Sequence, residues 1–135
     1  MSEQQIQTTG FDATLGLVLE RYDGDEVLAR LPITPALQQP YGIVHGGVYC
    51  AVVETTASVG AALWFGDRGH VVGVANHTNF LRAVREGELT VRATPVHRGR
   101  TQQLWTVDVR DEQDRLVARG EVRIANIVSA DVLGG

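Results

Sequence analysis

Residues 45–65 read HGGVYCAVVETTASVGAALWF. After the histidine that opens it, the run contains one charged residue, Glu54, and no proline. Its Ala, Val, Leu and Thr predict a helix from Gly47 to Phe65, roughly 28 Å long at ~1.5 Å per residue. Gly66-Asp67-Arg68-Gly69 then marks the end of the helix. A bilayer span needs ~20 apolar residues, and a central carboxylate with Gly46, Gly47 and Gly60 in the same run argues against one.

On the N-terminal side, LGLVLERY (15–22) and EVLARLPI (26–33) flank Asp23-Gly24-Asp25, the pattern of a two-stranded hairpin. Pro32, Pro35 and Pro40 make the next stretch a loop that delivers the chain to His45. On the C-terminal side the period becomes two. Leu89, Val91 and Ala93 alternate with polar residues, as do Trp105, Val107 and Val109, and then Leu116, Ala118, Gly120, Val122 and Ile124. With Val71–Leu81 added, four consecutive strands follow the helix.

A helix that is apolar on most sides must be covered on most sides, which one antiparallel sheet achieves only by curling around it. The expected class is therefore α+β, a curved antiparallel sheet wrapped on a long central helix. The 135 residues match a single domain, with residues 1–10 polar and flexible. Open sheet edges and an uncovered helix flank predict a homodimer.

A net charge of −4 disfavours a nucleic-acid partner, although all 12 basic residues are Arg, a side chain suited to phosphate. One cysteine, Cys50, allows no internal disulfide, and MSEQQIQTTG lacks the features of a secretory signal. A cytoplasmic setting without membrane attachment is the expectation.

Residues one or two turns from Glu54 are Gly47, Cys50, Ala51, Ala57, Ser58 and Ala61, a stripe of small side chains that leaves room for a thin ligand to approach the carboxylate. A lone Glu on such a helix also suits a structural ion pair. His45-Gly46-Gly47 places glycines at the helix start, where free N–H groups and the positive end of the macrodipole suit an oxyanion. Packing glycines and a capping histidine would have the same sequence. Gln39 adds a neutral donor in the preceding loop.

The segment Gly42-Ile43-Val44-His45-Gly46-Gly47-Val48-Tyr49-Cys50-Ala51, with an acid at position 54, resembles the hotdog-fold acyl-CoA thioesterases, especially the 4-hydroxybenzoyl-CoA and phenylacetate-pathway types. The resemblance extends from about Gln39 to Ile124. It implies that Glu54 acts as nucleophile or general base, that the Gly46 N–H polarises the thioester carbonyl with help from Gln39, that His45 supports this geometry and that Ser58 helps to hold water. It also implies contacts to substrate or coenzyme A from Gly47, Asn79, Arg82 and the turn Arg98-Gly99-Arg100-Thr101. No cofactor beyond the CoA of the substrate is implied, nor any metal, and the family's usual assembly is a dimer or a dimer of dimers. Many relatives carry Asp where this chain has Glu54.

Several rival sites fail on spacing. Ser58 lies in a helix without G-x-S-x-G, Cys50 has no evident activating base, and His45, His70, His77 and His97 show no close metal-ligand spacing. Two alternatives stay open: a hotdog hydratase or dehydratase, and a non-catalytic acyl-CoA binding module.

Overall fold

The computed structural model describes residues 6–128. The chain runs through α1 (Gly10–Leu15), β1 (Val18–Tyr22), β2 (Val27–Pro32), a 3-10 turn at Pro35–Leu37, α2 (Gly46–Phe65), a second 3-10 turn at Gly66–Arg68, β3 (Gly69–Phe80), β4 (Glu88–Arg98), β5 (Gln102–Arg110) and β6 (Leu116–Val128). Every strand pairing is antiparallel, and the six strands lie in the order β1-β2-β4-β5-β6-β3. The strand that leaves the helix thus crosses the whole sheet to its far edge.

This is the hotdog architecture: a curled sheet around one helix. Val52, Val53, Ala57 and Ala61 of α2 are fully buried against Ala29, Leu31, Val91, Trp105, Val107, Val122 and Ile124 of the sheet. Each large apolar side chain buried in this way contributes ~1.5–3 kcal/mol, which is why the helix needs no strong amphipathic stripe of its own. Although α2 is long and apolar enough to cross a bilayer, half of its apolar window is buried by the sheet, as expected of a core helix.

The small-residue stripe turns out to have two functions. Ala57 and Ala61 of the stripe admit the sheet, as does Gly60 beside them, where a Cβ would meet the Trp105 ring at 2.5 Å. Gly47, Cys50, Ala51 and Ser58 stay partly or fully open on the Glu54 side.

The N-terminus departs from expectation. Gly10–Leu15 forms a helical turn where a loose segment and the start of a strand were predicted; residues 1–5 of that flexible segment lie outside the described residues. Gly16, at φ 84, stops this turn by donating to the Ala13 and Asp12 carbonyls, and the Asp12 carboxylate accepts from Thr55 Oγ1 at 2.6 Å, pinning α1 to α2. β1 consequently begins at Val18, three residues later than the sequence pattern suggests.

Candidate active site

His45 caps α2: its Nδ1 accepts from the Gly47 N–H at 2.8 Å. The Gly47 amide is therefore occupied. The Gly46 N–H in the same first turn has no acceptor among the described residues and lies at the positive end of the helix dipole. Gly46 opens onto a cleft of about 330 Å3, which Gln39, Tyr49, Phe80, Leu81 and Arg82 also line. Gln39 is held in place there because its Oε1 accepts from the Tyr41 N–H, and its Nε2 has no acceptor among the described residues.

Glu54 lies two turns along, half-buried between α2 and β3. Its Oε2 accepts from Asn76 Nδ2 at 3.1 Å; Asn76 Nδ2 also donates to the Cys50 carbonyl at 3.1 Å, and Asn76 Oδ1 accepts from Thr78 Oγ1 at 2.7 Å. The other carboxylate oxygen lies over Gly73, where any Cβ would fall on it. Asn76, Gly73 and Thr78 thus position Glu54, and the sequence analysis assigned none of them that role. The one available signal was a polar run, Asn76-His77-Thr78-Asn79, inside an otherwise apolar strand.

Ser58 is half-buried one turn beyond Glu54, on the same side of α2. Asn79 and Arg82 are exposed near the end of β3, with Arg82 at the cleft. The arginine turn lies elsewhere. Arg98, Gly99 and Arg100 join Trp64, Phe65 and Arg68 around a second cavity of about 450 Å3 at the other end of α2. Arg98 NH1 donates to the Gly24 carbonyl at 2.6 Å and to Asp25 at 2.7 Å, so it ties the β1–β2 turn to β4; the Arg100 guanidinium has no such partner among the described residues. Thr101 contributes its carbonyl to the Asn126 N–H at 2.9 Å. Among the described residues, no three His, Cys, Asp or Glu side chains gather closely enough to hold a metal ion.

Gly46 and Glu54 are eight residues apart on one helix, a rise of ~12 Å. A carbonyl oxygen bonded to Gly46 is therefore out of reach of the same chain's Glu54. Both groups nevertheless face the same free edge, since α2 runs antiparallel to β3 with Gly46 beside Phe80 and Glu54 beside Gly73. That edge is apolar and open: Val72, Val74 and Phe80 are 43%, 58% and 56% exposed.

An antiparallel sheet curled on one long helix is the architecture of the hotdog-fold thioester hydrolases. The chain belongs to the thioesterase superfamily, whose family model matches residues 41–118. It is similar to the crystal structure of S. sahachiroi AziG, with 49% identity and a TM-score of 0.88 over 90% of this chain and 99% of that one. A thioesterase from Haemophilus influenzae is 33% identical, with a TM-score of 0.85 over 90% of this chain and 85% of that one. A 1,4-dihydroxy-2-naphthoyl-CoA hydrolase of Listeria monocytogenes is 29% identical, covering 86% of this chain and 94% of its own length.

Proposed function

We propose that this protein hydrolyses an acyl-CoA thioester to the free acid and CoA at a site shared by two copies of the chain. The observation that carries this reading is the placement of Glu54, fixed by Asn76 beside the free edge of β3, with the open Gly46 amide on the same edge. Antiparallel pairing of β3 with the partner's β3 covers Val72, Val74 and Phe80 and removes an exposed edge. A two-fold axis beside Asn76 sets Phe80 of one chain against the partner's Val72, and so brings Gly46 towards the partner's Glu54.

The thioester carbonyl then accepts from Gly46 N–H, with Gln39 Nε2 beside it, and these donors and the helix dipole stabilise the developing oxyanion. In one route the partner's Glu54 takes a proton from a water that attacks the carbonyl carbon and returns it to the departing CoA thiolate as the C–S bond breaks. In the other it attacks the carbon itself, expelling the thiolate and leaving an acyl anhydride that water then hydrolyses, its hydroxyl going to the acyl carbon, its proton to the thiolate, and Glu54 being freed. The partner's Ser58 lies beside that carboxylate to hold water, and His45 keeps the helix start in shape. From Glu54 to Trp64 the helix rises a further ~15 Å, which carries the CoA arm towards Arg98, Gly99, Arg100 and Thr101. Asn79, Arg82 and Gly47 line the approach. No cofactor is required, the whole chain acts as a single domain, and we place it in the cytoplasm as a dimer or a dimer of dimers.

Glu54→Gln keeps the shape of the side chain and removes the base. CoA release, followed with a thiol reagent, should fall ~10²–10⁴-fold in a protein that folds as the wild type does. Wild-type turnover in the variant would overturn the mechanism, while hydration of crotonyl-CoA without CoA release would favour the hydratase alternative.

A further inference from the structure

Gln39 sits at the start of a turn that its own side chain helps to close. Pro40 and Tyr41 form the tip; the Gly42 N–H donates to the Gln39 carbonyl at 2.9 Å, and the Gln39 N–H donates to the Ile43 carbonyl at 2.8 Å. A backbone N–H can pair only with the oxygen end of a side-chain amide, so the bond from the Tyr41 N–H to Gln39 Oε1 leaves Nε2 as the end available to a ligand. The placement of that donor is therefore the placement of Tyr41.

Tyr41 is 82% exposed, so packing of its ring does not hold the tip. The hold comes from the loop between β3 and β4. The Val44 N–H donates to the Val84 carbonyl at 2.8 Å and Gln38 Nε2 donates to the Arg85 carbonyl at 2.7 Å, which anchors the two legs of the turn. The Arg85 guanidinium reaches the tip itself and donates to the Tyr41 carbonyl at 3.1 Å. Gln39 and Arg85 thus grip Tyr41 from its two ends, one at the N–H and the other at the C=O. The fit is close at Gly42, φ 77, where a Cβ would stand 3.1 Å from the guanidinium.

The Arg85 side chain makes no other hydrogen bond or ion pair among the described residues. It lines a separate polar cavity of about 400 Å3, with Glu86, Asp111, Glu112 and Arg115, and is absent from the walls of the cleft beside Gly46. We infer that Arg85 is a positioning residue for the oxyanion site: by holding the Tyr41 carbonyl it fixes the Gln39 amide beside the Gly46 N–H, so that both donors stand ready for one oxygen. This role rests on the thioesterase reading above. Donors stabilise a developing oxyanion most when they need no rearrangement at the moment of reaction, and a turn released at its tip would have to reorder in every catalytic cycle.

The test is a double-mutant cycle on CoA release, run with whichever of hexanoyl-CoA and benzoyl-CoA the wild type cleaves faster. Gln39→Ala removes the donor and should lower kcat about a hundredfold. Arg85 is exposed, so Arg85→Ala leaves the fold intact; the donor stays, on a loosened turn, and kcat should fall about tenfold with KM little changed. The double variant should match Gln39→Ala to within about twofold, because no amide is left to position. A loss of about a thousandfold, the product of the single effects, overturns the inference. So does wild-type kcat in Arg85→Ala, or a raised KM at unchanged kcat, which would put the guanidinium on the substrate. Wild-type kcat in Gln39→Ala removes Gln39 as a donor and the inference with it, while loss of CoA release in Glu54→Gln leaves thioester hydrolysis standing. Failure of the wild type to release CoA from either ester overturns both readings.

Discussion

Asn76 Nδ2 donates to Glu54 Oε2 and to the Cys50 carbonyl, each at 3.1 Å, and so joins the edge strand β3 to the central helix at the carboxylate itself. Asn76→Ala frees Glu54 to leave its position without altering its charge. We expect kcat to fall about ten- to a hundredfold, the worth of a hydrogen bond to an ionised group, while KM changes little. Steady-state kinetics on an acyl-CoA decide it, and a variant with raised KM and unchanged kcat would instead place Asn76 in substrate binding.

Gly73 lies beneath the other carboxylate oxygen, and a methyl group there would occupy the space of Glu54 Oε1. The obstructed atom is the end of a flexible side chain, so Gly73→Ala should cost less than about 0.5 kcal/mol of stability. Activity should suffer far more, since a displacement of ~1 Å in a reacting group can cost about a hundredfold. Denaturant unfolding and CoA-release assays on the same preparation separate the two effects.

Val74 is 58% exposed on the free strand, where the proposed pairing would bury it. Val74→Asp puts a carboxylate into the proposed seam, which pairing would have to strip of water. The variant should sediment as a monomer and lose activity together with its partner. A monomer that retained full turnover would show that one chain suffices.

Asp111 gives a pH prediction with a definite sign. Burial raises its carboxyl, but the Arg115 backbone N–H, the Arg115 guanidinium and the Gln113 N–H together hold it below the usual 3.8. A carboxyl lowered by folding contributes its full stability above 3.8 and loses it as pH falls through the folded value. The stability difference between wild type and Asp111→Asn should therefore be widest near neutral pH and close in acid. Denaturation across a pH series measures it, and a difference independent of pH would show that the carboxylate charge is not what holds this turn.

The sequence was most legible where one physical requirement dominates. Period-two alternation placed Leu89, Val91, Trp105, Val107 and Val109 inside, and all are fully buried. The glycine start and the lone carboxylate located α2, Gly46 and Glu54. Legibility failed where a residue's role depends on a neighbour distant in sequence. Gln103 looks like a solvated strand residue, yet it is fully buried because Trp105 Nε1 donates to its Oε1 at 2.8 Å and its Nε2 donates to the Ala61 carbonyl at 3.2 Å. Asn76 was hidden because a bulge between Gly73 and Ala75 shifts the alternation of β3, so strand period does not reveal which polar side chain turns inward to α2. The separation of Gly46 from Glu54, by contrast, was already implicit in the spacing, since eight helical residues fix it whatever the fold.

The Gln103 contacts continue outward. Gln103 Nε2 also donates to Asn126 Oδ1 at 2.9 Å, and Asn126 Nδ2 in turn donates to the Gly99 and Arg100 carbonyls at 2.9 and 3.3 Å. The arginine turn is thereby bolted, through two side-chain amides, to the backbone of the helix that bears Glu54. On the proposed function, helix and turn form the fixed jaw of a caliper, against which a ligand reaching from Glu54 to Arg100 would be gauged. By the same reading, discrimination among acyl groups of different length then falls to the opposite jaw, the cleft beyond Gly46, where the Leu81 side chain is 56% exposed.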